Sequence, residues 1–418
     1  MEEIQQKMEY CLNCKSKPCK EGCPLKNDIP AFIENAKNGN IKEAYKILSK
    51  TTIMPFICGK ICPHSKQCEG KCIRGIKEKP VSIGEIESYV GEIGIKNKWY
   101  LDVEKAKEKD KKIAIIGAGP AGITASIYLA KMGWRVDLFE QKEKIGGILR
   151  YGIPRFRLEE RYVDILEEEL KCLNVKIYTE ISLGRDRQLK KLIEEYDAVL
   201  FAIGANQPSK MGIPGEEQKN VIGANELLEY GNHPNYEGKK VVVIGGGNVA
   251  MDASRTIKRL GAESVTVLYR RAREQMPAEK KEVEEAIKEK INFKFQINVK
   301  GIEKNQLECI RTVLVKKEDE KREIPVEIPN STFYIEADYI IMAIGSKLNK
   351  EGLDNIELNE KGYIKINDKY QTNLKKVYAT GDSIGKNTTV AWASYFGREA
   401  AKNIEECDSY SSSSTLYL

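Results

Sequence analysis

One pattern occurs twice in this chain and restricts its fold more than any other feature. An apolar run, Ile113 to Ile116, leads into Gly117-Ala118-Gly119-Pro120-Ala121-Gly122. An apolar helical pattern to Met132 and a strand pattern from Arg135 to Glu140 follow. The same order returns at Lys240 to Ile244, which leads into Gly245-Gly246-Gly247-Asn248-Val249-Ala250, a helical pattern to Leu260 and a strand pattern from Ser264 to Tyr269. Strand, glycine-rich turn, helix and strand make the βαβ unit that binds dinucleotides. Gly117 and Gly245 allow the tight turn. Gly119 and Gly247 let backbone approach a diphosphate, and Gly122 and Ala250 permit close helix–strand packing. The helix openings at Pro120-Ala121 and at Asn248 supply free N–H groups for that diphosphate.

The two copies diverge where nucleotide choice is made. Glu140 ends the second strand of the first copy, where a carboxylate accepts hydrogen bonds from an adenosine ribose. A surface glutamate is the plainer alternative. In the second copy Arg270 and Arg271 stand there, and two guanidiniums match a 2′-phosphate. That copy is expected to take NADPH; a solvated basic strand end is the alternative.

The first copy is expected to hold FAD. Val377 to Asp382 reads as a strand ending in Gly381-Asp382, with Asp382 on the ribityl chain or, through water, on the pyrophosphate. Residues 388–400 read as a helix whose opening, at Thr389 and Val390, faces the flavin C2 carbonyl; its dipole would stabilise reduced flavin. Gly146-Gly147, with Leu149 close behind, suits backbone approach to the isoalloxazine ring.

Eight of the eleven cysteines fall between residues 11 and 72, as Cys11-x2-Cys14-x4-Cys19-x3-Cys23-Pro24 and Cys58-x3-Cys62-Pro63-x5-Cys68-x3-Cys72. The chain has only two histidines, His64 and His233, too few for a metal centre of three imidazoles and both consumed by one of two imidazoles and a carboxylate. Clustered thiols in a reducing compartment read as metal ligands. The Cys-x3-Cys-Pro ending is similar to that of bacterial ferredoxins and suggests two [4Fe–4S] clusters with crossed ligation. Zinc is the competing reading, although only Cys11 and Cys14 have knuckle spacing. Cys172, Cys309 and Cys407 are isolated, so the dinucleotide domains lack the cysteine pair of a disulfide reductase.

The formal charge is +6, from 68 Lys and Arg against 62 Asp and Glu. A mild, interspersed charge does not imply nucleic acid. The N-terminus has no leader pattern and no run is long enough to cross a membrane, so a cytoplasmic protein is expected.

These observations predict an α/β chain: an α-helical iron–sulfur domain followed by two Rossmann-like domains, in the architecture of disulfide-reductase-like flavoproteins. The expected boundaries are 1–108 for the cluster domain, 109–235 and 346–406 for the two parts of the FAD domain, 236–345 for an inserted NADPH domain, and 407–418 for a disordered tail. The N-terminal module shows helical patterns at Ile29 to Asn38 and Ile41 to Ser49, and residues 102–112 read as a helix or linker. The apolar runs Ala198 to Gly204 and Tyr339 to Gly345 are expected to bracket the insertion.

The arrangement resembles the small (β) subunit of NADPH-dependent glutamate synthase over residues 8–405. That family's relatives include the N-terminal part of dihydropyrimidine dehydrogenase and the large subunit of NADH-dependent ferredoxin:NADP oxidoreductase. The resemblance rests on both cysteine blocks, Pro80-Val81-Ser82-Ile83-Gly84-Glu85-Ile86-Glu87, Gly146 to Pro154, and Tyr269-Arg270-Arg271 with Met276-Pro277. It implies one cluster on Cys11, Cys14, Cys19 and Cys72, and a second on Cys23, Cys62, Cys68 and a non-cysteine ligand, which points to Glu87. Cys58 is the competing fourth ligand.

The resemblance also implies an electron relay from NADPH through FAD and the clusters to a large catalytic subunit that makes glutamate from glutamine and 2-oxoglutarate. Another partner system, a stand-alone NADPH oxidoreductase and a zinc-stabilised binding module remain as alternatives. No acid–base residue is needed for such a relay, in keeping with the scarcity of histidine.

Overall fold

The computed structural model describes residues 2–229, 233–316 and 322–414, the last six by backbone alone. The chain divides into two compact units: Met1–Arg150 with Arg155–Ala205 and Leu348–Leu418, and Tyr151–Pro154 with Asn206–Lys347.

The first unit contains a parallel sheet of order β15-β4-β1-β2-β3, built from β1 (Lys112–Ile116), β2 (Arg135–Phe139), β3 (Lys176–Tyr178), β4 (Ala198–Phe201) and β15 (Val377–Ala379). β1 and β4 are covered on both faces, and Ile113, Ala114, Ile115, Val199, Leu200 and Phe201 are fully buried. Two-faced burial is why these strands read as unbroken apolar runs. Each large side chain so buried contributes about 1.5–3 kcal/mol. The helix Pro120–Lys131 packs against Val390–Ser414, and a Cβ on Gly397 would come 2.3 Å from the Ala121 carbonyl oxygen.

The N-terminal helices, among them Ile29–Lys37, Ile41–Ser49, Pro55–Ile61 and Ile83–Lys96, belong to this same unit. Buried Arg398 donates Nη1 to the carbonyls of Leu25 (3.1 Å) and Thr51 (2.8 Å), and Phe56 stacks on Tyr162 at 3.8 Å. Residues 102–110 form no helix; they run as a linker held by Ala106 N–H to Lys131 O and Lys109 N–H to Gly133 O.

The second unit holds β5 (Gln207–Pro208), β6 (Val221–Gly223), β7 (Lys240–Ile244), β8 (Ser264–Tyr269), β9 (Asn292–Phe295), β10 (Ile297–Glu303), β11 (Gln306–Val315), β12 (Ile324–Glu336), β13 (Tyr339–Met342) and β14 (Ser346–Lys347). Its parallel sheet has the order β6-β13-β7-β8-β9, and β10-β11-β12 form an antiparallel meander. β13 lies beside β7 as β4 lies beside β1, so the two similar apolar runs are equivalent strands of two sheets.

Two expectations are corrected. The insertion begins near residue 206 rather than 236, because β6 pairs with β13 and β5 with β14 inside the second unit. The tail expected to be disordered from residue 407 continues the last helix to Ser414, and residues 415–418 lie outside the described ones. A helix that is already nucleated extends cheaply, and Lys111 pairs with Asp408 at 2.8 Å in its later turns.

Candidate cofactor and cluster sites

In the first unit three separated segments meet at the opening of the helix Pro120–Lys131. Gly117 has φ +101°, and a Cβ there would lie 2.5 Å from the Ala202 carbonyl oxygen. A Cβ on Gly122 would lie 1.9 Å from the Gly117 oxygen, so only glycine fits. Gly146 N–H donates to Ala118 O, and Gly147, at φ +50°, has room for no Cβ beside the Gly119 Cα. Leu149 is buried just beyond. Gly381 has φ +69°, and a Cβ there would lie 2.8 Å from the Ala121 Cβ. Apart from its chain neighbours, the only atom among the described residues within 4 Å of a Cβ placed on Gly119 is the Gly147 Cα, at 3.8 Å. The backbone therefore leaves an open cradle at the helix opening.

Glu140 is buried beside this cradle. Its Oε2 accepts from Ala118 N–H at 2.8 Å and its Oε1 from Lys142 N–H at 2.9 Å, leaving lone pairs for ribose hydroxyls. Burial raises its carboxyl above the usual range, against the pull of those N–H groups. Asp382 Oδ1 and Thr380 Oγ1 are buried with no hydrogen-bond partner among the described residues, and burial lifts the Asp382 carboxyl to about 6. Orphaned polar atoms at a glycine cradle fit a polar ligand such as the ribityl diphosphate of FAD. Thr389 precedes the helix Val390–Ser414 and caps it, its Oγ1 accepting from Trp392 N–H at 3.2 Å.

In the second unit Gly245 has φ +142°, and a Cβ there would meet the Ala343 oxygen at 2.2 Å. The space beside Gly247 is open, and Ala250 is fully buried. Asn248 Oδ1 accepts from Glu279 N–H, and Gly246 O accepts from Ala278 N–H, folding residues 276–279 over the glycine turn. Arg270 and Arg271 follow β8, their carbonyls tied to Thr312 Oγ1 and Gln296 N–H. Arg270 is exposed and Arg271 half-buried, with its Nε shielded and without a hydrogen-bond partner among the described residues. Neither forms an ion pair among the described residues, nor does Arg273, which the sequence reading passed over. Unpaired guanidiniums at a strand end fit a phosphate.

The eight clustered cysteines separate into two groups. Cys11, Cys14, Cys19 and Cys72 line one open cavity with Leu12, Ile33, Ile73 and Val81. Burial pushes the Cys19 thiol up to about 11. Cys23, Cys58, Cys62, Cys68 and Glu87 form the other group, enclosed more deeply, with Cys58 1% and Glu87 5% exposed. Glu87 Oε1 accepts from Asn27 Nδ2 at 3.1 Å. Burial, then the neighbouring Cys58, drive its carboxyl well above the usual range. Burial pushes the Cys23 thiol up to about 12. Buried thiols and a carboxylate that resist ionisation suit a cationic centre, which binds their charged forms. Cys58 also bonds Cys62 and lies 3.7 Å from Thr52 Oγ1, so it has partners of its own.

Among the described residues no three Cys, His, Asp or Glu side chains converge closely enough for a single metal ion. Tetrahedral zinc would hold sulfurs only about 3.8 Å apart; an iron–sulfur cube spreads its ligands over four corners.

The sequence reading missed Gln67, whose buried Nε2 donates to Thr389 Oγ1 at 3.3 Å. This bond joins the residue preceding Cys68 to the cap of the helix beside the cradle.

The pyridine nucleotide-disulphide oxidoreductase family matches residues 111–397, and the dihydropyrimidine dehydrogenase domain II, 4Fe-4S cluster, family matches residues 1–99. The glutamate synthase [NADPH] small chain of Halomonas elongata is 34% identical, covering 94% of this chain and 88% of its own length. The NADP(+)-dependent formate dehydrogenase subunit beta of Moorella thermoacetica is 33% identical over 93% of this chain and 59% of its own. The solved structure of Mycobacterium tuberculosis FprA in complex with NADPH is similar at a TM-score of 0.66 and 18% identity, covering 73% of this chain and 86% of that one; this shows the fold alone. No helix among the described residues is long and apolar enough to cross a membrane. The chain belongs to the pyridine nucleotide-disulphide oxidoreductase family and, within it, to the iron–sulfur group of glutamate synthase small chains and their relatives.

Proposed function

We propose that this chain is the electron-input subunit of a glutamate synthase, an NADPH-dependent FAD and iron–sulfur oxidoreductase of the cytoplasm that serves a large catalytic subunit. The bound groups would supply the redox chemistry: two-electron exchange with NADPH at FAD, and one-electron exchange at [4Fe–4S] clusters. The chain's own residues bind, orient and insulate. Gly245, Gly247, Asn248 and Ala250 hold the NADPH diphosphate, and Arg270 and Arg271 its 2′-phosphate. Gly117, Gly119, Pro120, Ala121, Gly122, Glu140, Gly147, Leu149, Gly381, Asp382, Thr389 and Val390 hold FAD. Cys11, Cys14, Cys19 and Cys72 hold one cluster; Cys23, Cys62, Cys68 and Glu87 hold a second, with Cys58 bonded beside it.

The observation that carries this reading is the Gln67–Thr389 bond. It ties the residue preceding Cys68, in the buried cysteine group, to the cap of the helix beside the glycine cradle, within one compact unit. The reduced state that clustered thiols require supports the cytoplasm.

The test is anaerobic reconstitution with iron, sulfide and FAD, then assay of NADPH-driven glutamate formation from glutamine and 2-oxoglutarate with a glutamate synthase large subunit added. Formation that depends on both chains supports the reading, and NADPH oxidation without glutamate refutes the glutamate synthase assignment. The formate dehydrogenase relative favours one second reading, delivery of electrons to or from a different catalytic subunit.

A further inference from the structure

The two segments that supply the open cavity's cysteines are unusual in charge. Residues 10–20 and 71–80 together contain seven Lys or Arg and one acid, so they alone match the +6 of the whole chain. Lys17 pairs with Asp28, and Arg74 with Glu78. Lys15, Lys20, Lys71, Lys77 and Lys79 form no ion pair among the described residues. The segments lie side by side. Arg74 Nε donates to Tyr10 O at 3.1 Å, its guanidinium sits 4.1 Å from the centre of the Tyr10 ring, and the Tyr10 hydroxyl donates to Glu78 and bonds the Lys79 carbonyl. Leu12 and Ile73, beside the thiols, are 51% and 38% exposed, and Ile76 is 77% exposed. Large exposed aliphatic side chains with a charged rim are characteristic of interaction surfaces.

We infer that this face, formed by Leu12, Ile73 and Ile76 and rimmed by Lys15, Lys77 and Lys79, docks an acidic redox protein that takes electrons from the cluster held by Cys11, Cys14, Cys19 and Cys72. The inference rests on the function proposed above and adds the exit point and the partner's charge. The cavity opens outward among apolar side chains, whereas the other cysteine group is enclosed. The basic rim would steer an acidic partner onto the short path to the cluster. A second copy of this chain would bring the same positive charges face to face. One NADPH supplies two electrons, so two one-electron acceptors are reduced as NADP+ and one proton are released.

The test uses the reconstituted holoprotein and an oxidised acidic ferredoxin as probe, with binding followed by titration calorimetry. The parent should bind it, and the Kd should weaken at least tenfold between 50 and 300 mM NaCl. The double variant Lys77→Glu/Lys79→Glu should weaken binding at least tenfold at low salt. The control Lys190→Glu/Lys191→Glu, with the same charge change on the helix Leu189–Glu195, should not. Basic cytochrome c should show the opposite preference. The inference is overturned if the parent does not bind the ferredoxin, if both double variants behave alike, or if duplex DNA or anionic vesicles compete better than ferredoxin. NADPH bleaching of the flavin in the same samples separates the two readings: bleaching without docking sinks the surface alone, and no bleaching sinks the function.

Discussion

Replacing Arg271 with alanine should change which nucleotide this chain prefers. Arg271 follows β8 with its carbonyl held by Gln296 N–H, its Nε buried and no ion pair among the described residues. A charge-assisted hydrogen bond contributes about 1.5–3 kcal/mol, and shielding places Arg271 at the upper end. Loss of about 3 kcal/mol is roughly a hundredfold in affinity. Arg270 is exposed, so its contribution is screened to about 1 kcal/mol, roughly fivefold. NADH lacks the 2′-phosphate and should be unaffected by either change. The assay is anaerobic stopped-flow reduction of the bound flavin over a range of NADPH and NADH concentrations, giving the apparent Kd for each. Arg271→Lys should recover only part of the loss, because an ammonium lacks the planar fork. Equal weakening toward both nucleotides would mean that Arg271 only supports the fold, and no change toward NADPH would refute the phosphate assignment.

Further expectations concern the other sites. Gly122→Val places atoms inside the Gly117 carbonyl; it should cost about 3 kcal/mol or more in stability and yield protein without flavin, read by absorbance and thermal melting. Asp382 titrates near 6 when buried, against 3.8 ordinarily. The folded apoprotein therefore binds more protons than the unfolded chain between these values, and stability falls as pH rises through that window, by about 3 kcal/mol. Asp382→Asn should make the apoprotein more stable than the parent above pH 6 but not near pH 3.5, while weakening FAD binding; the same stability difference at both pH values would contradict this. Glu87→Ala should shift the potential of one cluster or lose its iron, whereas Cys58→Ser should retain both clusters by iron analysis and electron paramagnetic resonance. The reverse pattern would make Cys58 the ligand.

The sequence was most legible where burial is two-sided. β7 and β8 fall on Lys240–Ile244 and Ser264–Tyr269 as read, because parallel strands packed on both faces leave continuous apolar runs. The β10–β12 meander went unread. Its strands alternate and stay half open, with Val313 at 45% and Tyr334 at 60% exposure, which gives a weak pattern. β6 is three residues long, too short for any periodicity, and the start of the insertion was misplaced with it. Gln67 and Arg398 were invisible for another reason. Their partners lie 322 and 373 positions away along the chain, and only the fold brings them together. The glycines and cysteines were legible because their chemistry depends on local spacing.

The central claim is a single electron path from NADPH through flavin to iron–sulfur clusters within one chain, and one titration tests it most directly. The reconstituted protein is titrated anaerobically with NADPH while flavin absorbance and low-temperature electron paramagnetic resonance are recorded on the same samples. The account predicts loss of flavin absorbance together with a reduced-cluster signal, and loss of that signal, with the flavin still reduced, when Cys62 and Cys68 are replaced by serine. Flavin reduction with no cluster signal at any NADPH excess, or a cluster signal that survives without FAD, would contradict it.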